Sequence, residues 1–490
     1  MVFNREHPSD PCDAPQDNAH LVGRGTTTEE FMAALNQAAF LAAQTIHTAD
    51  HPVPQHEPGD ISELLNSIDL ATPQHTLEDC FRELREIWLD SAVFYHHPNY
   101  ISHLNCPVAL PAVAADVLAT SLNTAVESWD QAGAAAHIEQ RLIRWISEAV
   151  DFPSSANGVF TSGGSQSNLQ ALAIARNKTR VDAPLKHLAF FASPGAHYSV
   201  RRAAELLGIE PENMITVGGA HADSGMIEAT ALRAAIARAR ADRLTPAAVV
   251  ATAGTTDRGL IDPLSDIADV CDAERVHLHV DAAYGGAACF SAQHRSRLRG
   301  IDRADSITID FHKTFFQPLA CSAVVMRSGS DLSYVRSHAE YLNPASSAHL
   351  NLADYSLQTS RRFDALKLWV TLRTVGAEAI GTAFDRVVAL ARNTARAIEH
   401  SDEFADLDLF EHPHLSTVLF SLHGDPDGTL VEPVRDALFT SGTAAVAVTR
   451  IGEKRLMKLT ILDPTLSLGD ITGTLRAVVR TSHDHAAHSL

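Results

Sequence analysis

The sequence predicts an α/β core, because short apolar runs alternate with helical patterns from Asn157 onward. Nearly every residue of each run is apolar, as in strands of a mostly parallel sheet covered on both faces. After Gly376 the order changes to one long helix followed by mixed strands and helices, which predicts a smaller α+β domain. The expected division is a helical segment over 1–95, a large domain over 96–375 and a small one over 376–490.

Residues 1 to about 25 are rich in Pro, Asp, Asn and His and read as a loose arm. Helical spacing then runs through Thr28–Gln44, Ile61–Ile68 and Leu77–Trp88, interrupted at Pro52, Pro54, Pro58 and Pro73. Strands are expected at Val159–Thr161, Leu188–Ala192, Ala247–Thr252, Val276–Val280, Ser306–Asp310 and Ser322–Met326. The clearest helices between them are Gln166–Asn177, Val200–Leu207 and Ile227–Arg240. In the small domain the pattern gives a helix over Thr382–Ile398 and strands at Thr417–Leu422, Ala445–Thr449 and Leu456–Ile461. Helices are expected there around Val431–Thr440 and Leu468–Val479, and the His-rich end (His483, His485, His488) reads as a frayed, solvated terminus.

The 490 residues carry 39 Lys+Arg against 59 Asp+Glu, a net charge of −20, with 45% hydrophobic and 20% charged residues. This is the composition of a packed soluble protein, and its acidity argues against nucleic acid or an anionic membrane as partner. No apolar run reaches the ~18–20 residues of a membrane span. The first 25 residues show no signal-peptide pattern. Six scattered cysteines without a C-x-x-C pair suit reduced thiols, so a cytoplasmic protein is expected with neither disulfides nor a metal site.

Three signals carry chemistry. Lys313 follows Asp310-Phe311-His312 directly after a predicted strand, where α/β enzymes place ligands; it reads either as a surface lysine or as a Schiff-base lysine. Asp281 ends the apolar run of His277-Leu278-His279-Val280 and, if buried, needs a cationic partner or several donors. A protonated pyridine nitrogen would serve. His277 and His279 lack a third ligand at useful spacing and read as core histidines. Finally, Thr161-Ser162-Gly163-Gly164-Ser165-Gln166-Ser167-Asn168 runs from strand to helix, where small residues and a helix N-terminus suit a phosphate. A phosphate cradle, an aspartate and a later lysine are the anchors that pyridoxal phosphate requires.

On these motifs the chain, from about Tyr95 to the C-terminus, resembles the group II pyridoxal-phosphate-dependent amino acid decarboxylases of fold type I, the aspartate aminotransferase-like fold with a seven-stranded-type sheet. The resemblance implies that Lys313 carries the cofactor, Asp281 keeps its ring nitrogen protonated and His197 stacks on the ring. It further implies phosphate contacts from Gly164 and Ser165, a cofactor contact from Thr255 and packing under the ring by Ala283. His312 would be a proton donor or phosphate contact. Many relatives have Asn-Pro-His-Lys where this chain has Asp310-Phe311-His312-Lys313. Tyr355 is the candidate for reprotonating the substrate carbon, and an ordinary loop tyrosine is the competing reading.

His103, Asn105 and Cys106 resemble part of a substrate-pocket wall. Together with Tyr341-Leu342-Asn343-Pro344 and the segment Ser356–Lys367, the resemblance points to the branch acting on basic amino acids. It implies L-lysine decarboxylation to cadaverine and carbon dioxide, for hydroxamate siderophore synthesis. The alternatives are L-2,4-diaminobutyrate or ornithine, then an aromatic amino acid, and remotely an aminotransferase using Arg361 or Arg362. Glu139 or the Trp129-Asp130-Gln131 stretch could hold a distal ammonium. A homodimer with the active site at the subunit interface, wrapped by the N-terminal helices, is expected.

Overall fold

A computed structural model of the chain describes residues 21–23, 25–54, 58–218, 224–340, 342–344 and 348–488. Most of the N-terminal arm, Cys12 and Tyr341 therefore lie outside the described residues. The described chain forms two units, one running to Asp50 and resuming before Ala92, the other comprising His51–Gln55 and Val93–Leu490.

The first unit holds helices Thr28–His47, Pro58–Ser67 and Leu77–Ile87. Their starts are set locally. Thr27 accepts from the Glu30 N–H while the Glu30 carboxylate accepts from the Thr27 N–H at 2.8 Å, and Thr76 caps its helix through the Asp79 N–H. Neither Thr28–His47 nor Leu77–Ile87 buries a residue.

In the second unit the strands are β1 (Asn157–Thr161), β2 (Leu188–Ala192), β3 (Met214–Thr216), β4 (Thr245–Thr252), β5 (His277–Asp281), β6 (Ser306–Asp310), β7 (Ser322–Met326), β8 (Leu407–Glu411), β9 (Thr417–Leu422), β10 (Ala447–Ile451) and β11 (Lys454–Thr460). The larger sheet has the order β1-β7-β6-β5-β4-β2-β3. β2 to β6 pair in parallel, whereas β7 runs antiparallel to both β6 and β1. Residues 311–321 between β6 and β7 contain no helix, and without a crossover the chain can only return antiparallel. The predicted strands of this sheet are all present. β3 escapes the sequence because three residues at an edge carry no pattern.

The second sheet, order β10-β11-β9-β8, has its own apolar cluster built from Val418, Phe420, Met457 and Leu459 with Val387 and Ala391 of the long helix Ala377–His400. The change of pattern after Gly376 is thus a change of sheet within one unit. The last helix continues through the His-rich end to His488, burying Ile471, Leu475 and Val478 on one face, and His483 Nε2 lies 3.2 Å from Asp406 Oδ2. The expected frayed terminus is corrected to an ordered helix.

One buried ion pair joins distant stretches. Glu139, on the helix Ala134–Ala149, accepts from both Arg361 nitrogens at 2.9 and 3.1 Å; the same guanidinium donates to the Phe160 carbonyl of β1, and the Phe160 N–H donates to Glu139. With side chains 1% and 4% exposed, both charges are spent on each other. Arg362 pairs with Asp116 and Asp364. Glu139 as an ammonium holder and these arginines as carboxylate clamps are therefore corrected to structural roles. Arg361→Met should cost about 3–5 kcal/mol, because Glu139 would keep a buried charge without a partner. Denaturant unfolding measures it, and a loss under about 1 kcal/mol would contradict the assignment.

Candidate active site

The carboxyl ends of β1, β4, β5 and β6 and the loop after β2 meet at a cavity of about 270 Å³. This is where a doubly wound sheet presents side chains that its hydrogen-bonded strands hold rigidly. Its wall includes Gly164, Ser165, His197, Asp281, Ala283, His312 and Lys313, seven of the residues singled out from the sequence. It also includes Leu104, Asn168, Thr256 and Asp310.

Other candidates lie elsewhere. Thr255 is turned into its own loop, where its hydroxyl accepts from the Leu260 N–H at 3.0 Å, and Thr256 takes the place at the cavity. Cys106 is buried with its Sγ donating to the His312 carbonyl at 3.5 Å, and Asn105 accepts from the Tyr100 hydroxyl. His103 is exposed, so from this segment only Leu104 reaches the wall. Tyr355 does not line its own chain's cavity: its carbonyl accepts from Gln170 and its ring packs on the cluster of Val159, Ile174, Met326 and Leu332.

Asp281 is 5% exposed, and its two donors, Asn168 Nδ2 at 2.8 Å and the Ala283 N–H at 3.1 Å, are both neutral. This fixes the direction of a longer chain of hydrogen bonds. The carboxylate only accepts, so the Asn168 NH₂ faces it and also donates to Ser199 Oγ at 3.1 Å. Asn168 Oδ1, 3.0 Å from His279 Nε2, must then accept, which puts the His279 proton on Nε2. Burial pushes His279 down to about 4, so its Nδ1 is bare and accepts from Ser306, which in turn accepts from His277 Nε2. His277 is pushed down to about 3, again by burial.

On the other side of Asn168, the Ser199 hydroxyl is left to donate to His197 Nδ1 at 2.8 Å, and the Ser199 N–H aims at the same nitrogen at 3.3 Å. His197 consequently carries its proton on Nε2. Burial lowers its pKa, and the nearby Lys313 charge adds to this against the pull of Asp281. The result is a neutral ring held at the cavity wall as a hydrogen-bond donor.

Lys313 Nζ lies 2.8 Å from Asp310 Oδ2. Burial works to lower the lysine pKa, but the Asp310 charge and hydrogen bond, with Asp281 behind them, raise it above the ordinary value. Burial likewise works to raise the Asp310 carboxyl, and the charges of Lys313 and His312 hold it below the ordinary range.

The cavity fits pyridoxal phosphate. Asp281 is a buried carboxylate with neutral donors only, as a protonated ring nitrogen requires. Gly164 leaves room that a Cβ would take, since that atom would stand 3.0 Å from Asp310 Oδ2 and 3.3 Å from Ala283 Cβ. The helix Gly164–Thr179 begins at the wall with no side-chain cap, which leaves its first N–H groups for an anion.

Residues 58–423 match the pyridoxal-dependent decarboxylase conserved domain. The L-2,4-diaminobutyrate decarboxylase of Rhizobium meliloti (strain 1021) is 40% identical over 407 residues, 82% of this chain and 81% of the relative. That of Acinetobacter baumannii is 34% identical over 452 residues, 86% of this chain and 87% of the relative. Among solved structures, the glutamate decarboxylase domain of the diaminobutyrate-pyruvate transaminase and L-2,4-diaminobutyrate decarboxylase from Vibrio parahaemolyticus superposes with a TM-score of 0.87 at 32% identity, covering 96% of this chain and 100% of that one.

The buried histidines make stability fall in acid. Their folded pKa values, about 4 for His279 and about 3 for His277, lie below the ~6.5 of an unfolded histidine, so the unfolded chain takes up protons first. Their contribution is complete above about pH 6.5 and is lost as pH falls towards the folded values. The urea midpoint should therefore drop between pH 7 and 5, and drop less in His279→Gln, which keeps a donor for Asn168. Equal drops in both proteins would count against the neutral chain.

Proposed function

Because the chain belongs to the pyridoxal-dependent decarboxylase family, and is a pyridoxal-phosphate-dependent amino acid decarboxylase of fold type I, we propose that it converts L-2,4-diaminobutyrate to 1,3-diaminopropane and carbon dioxide. The 40% identity to the Rhizobium meliloti L-2,4-diaminobutyrate decarboxylase is the observation that carries this reading. Lysine decarboxylation for siderophore synthesis, the expectation from the sequence, has less support, since the relatives from both Rhizobium meliloti and Acinetobacter baumannii are named for diaminobutyrate.

When bound, pyridoxal phosphate supplies the electron sink into which the bond to the departing carboxylate releases its electrons. The chain's own residues do the rest. Lys313 would be the amine that holds the cofactor. Asp281 would oppose a positive charge on the ring nitrogen, with Asn168 and the Ala283 N–H keeping it in place. Gly164, Ser165 and the start of their helix would take the phosphate, and Ala283 would pack against the ring. His197 offers Nε2–H, and His312, its ring against the Cys321 backbone, stands 3.6 Å from Asp310. With Arg361 and Arg362 paired elsewhere, no arginine among the described residues of the cavity wall neutralises the α-carboxylate, which favours its loss over transamination.

The active form is read as a cytoplasmic homodimer. The helix Leu110–Leu122 exposes Leu110, Leu118 and Leu122, 80%, 54% and 76% accessible, a face suited to a second copy. Light scattering should give twice the 52.8 kDa chain mass, and an active monomer would contradict it.

Steady-state kinetics on the three basic amino acids test the substrate. kcat/KM should be highest for L-2,4-diaminobutyrate and fall by roughly 10-fold or more for ornithine and again for lysine, as each methylene is worth ~1–3 kcal/mol. A preference for lysine would overturn the reading. Asp281→Asn should lower kcat on the order of 10²-fold or more, because it removes the charge opposing the ring nitrogen. Unchanged kcat with raised KM would show that Asp281 only binds.

A further inference from the structure

Asp310 stands three residues before Lys313, at the end of β6, and its geometry is specific. Its side chain is 2% exposed and one oxygen lies 2.8 Å from Lys313 Nζ, while the other, Oδ1, is buried without a hydrogen-bond partner. Gly164 gives this carboxylate its space: a Cβ there would stand 3.0 and 3.1 Å from its two oxygens. His312 Nε2 is 3.6 Å away, the Ser322 hydroxyl on the neighbouring strand β7 donates to the Ile309 carbonyl of β6, and Asp281 lies on the adjacent strand β5. Lys313 is thus the cation within hydrogen-bond reach of Asp310 among the described residues. An asparagine would offer the amine a neutral oxygen of the same shape, so the carboxylate adds charge and nothing else.

A charge beside an amine acts on its protonation. An ammonium has no lone pair and forms no bond to carbon, so an amine held in that form is withheld from reaction. We propose that Asp310 is a positioning residue that keeps Lys313 an ammonium whenever its amine is not bonded to the cofactor, so that the released lysine does not compete with the substrate amine. Asp310 acts through Lys313 and touches no reacting carbon. The inference rests on the assignment of Lys313 as the cofactor-bearing lysine.

The test is the pH dependence of cofactor uptake. Full-length protein freed of its cofactor is mixed with pyridoxal phosphate, and the rate at which visible absorption appears is followed as pH rises. In the wild type uptake should accelerate through a midpoint set by loss of the Lys313 proton. In Asp310→Asn that midpoint should lie about one pH unit or more lower, since an opposite charge in contact shifts a pKa by ~1–3 units. Uptake below both midpoints should then be roughly 10-fold faster or more. Asp310→Glu, which restores the charge, should bring the midpoint back towards the wild type, and Asp310→Ser, a smaller neutral variant, should match Asp310→Asn. Equal midpoints in wild type and both neutral variants would overturn the proposal while leaving Lys313 in place. Uptake that persists in Lys313→Ala would overturn the lysine assignment itself.

Discussion

Asp281 ends β5 almost completely buried, held by two neutral donors. A carboxylate in such a place is costly unless every lone pair is used and a cation can reach it. That requirement organises its surroundings. Asn168 must turn its NH₂ towards it, His279 must then donate to Asn168, and Ser306 and His277 fall into line behind. In the other direction Ser199 is left with one proton to give, and His197 receives it. One carboxylate thereby sets the proton positions of three histidines, two on β5 and one at a helix N-terminus.

The second constraint is the distribution of charge over the other acids and bases. Glu139 and Arg361 neutralise each other behind β1, and Arg362 is taken by Asp116 and Asp364. The cavity is left with Asp281, Asp310 and Lys313 as its charged groups. With Asp310 paired to Lys313, Asp281 is the carboxylate left to face a cationic ring. The same shortage of positive charge leaves the α-carboxylate of a substrate poorly stabilised, which lowers the cost of losing it.

How much of this was legible in the sequence depends on how local each signal is. Lys313 and Asp281 stand at the ends of apolar strands, and the Gly163-Gly164 turn precedes a helix, so strand geometry brings them together from pattern alone. Thr255 was one residue off: Gly254 at φ +110° turns the loop so that Thr256, and not Thr255, reaches the cavity, and nothing in Gly-Thr-Thr announces which. Asn168 carries no signal, because an amide one turn into a helix looks like any polar residue until the strand beneath it is placed. Glu139 and Arg361 are 222 residues apart, and only the folded sheet shows that each is the other's partner. The Ala-rich helix Leu110–Leu122 gives little periodicity, whereas Ala134–Ala149, with Leu142, Ile143 and Ile146 on one buried face, carries a helical pattern that the sequence reading passed over.

The central claim is that the buried acid and the lysine face each other across one cofactor. Borohydride reduction of the cofactor-loaded enzyme, followed by peptide mass spectrometry, tests it most directly. The account predicts a pyridoxyl group on Lys313 and on no other lysine. A label on a different lysine, or on none, would contradict it.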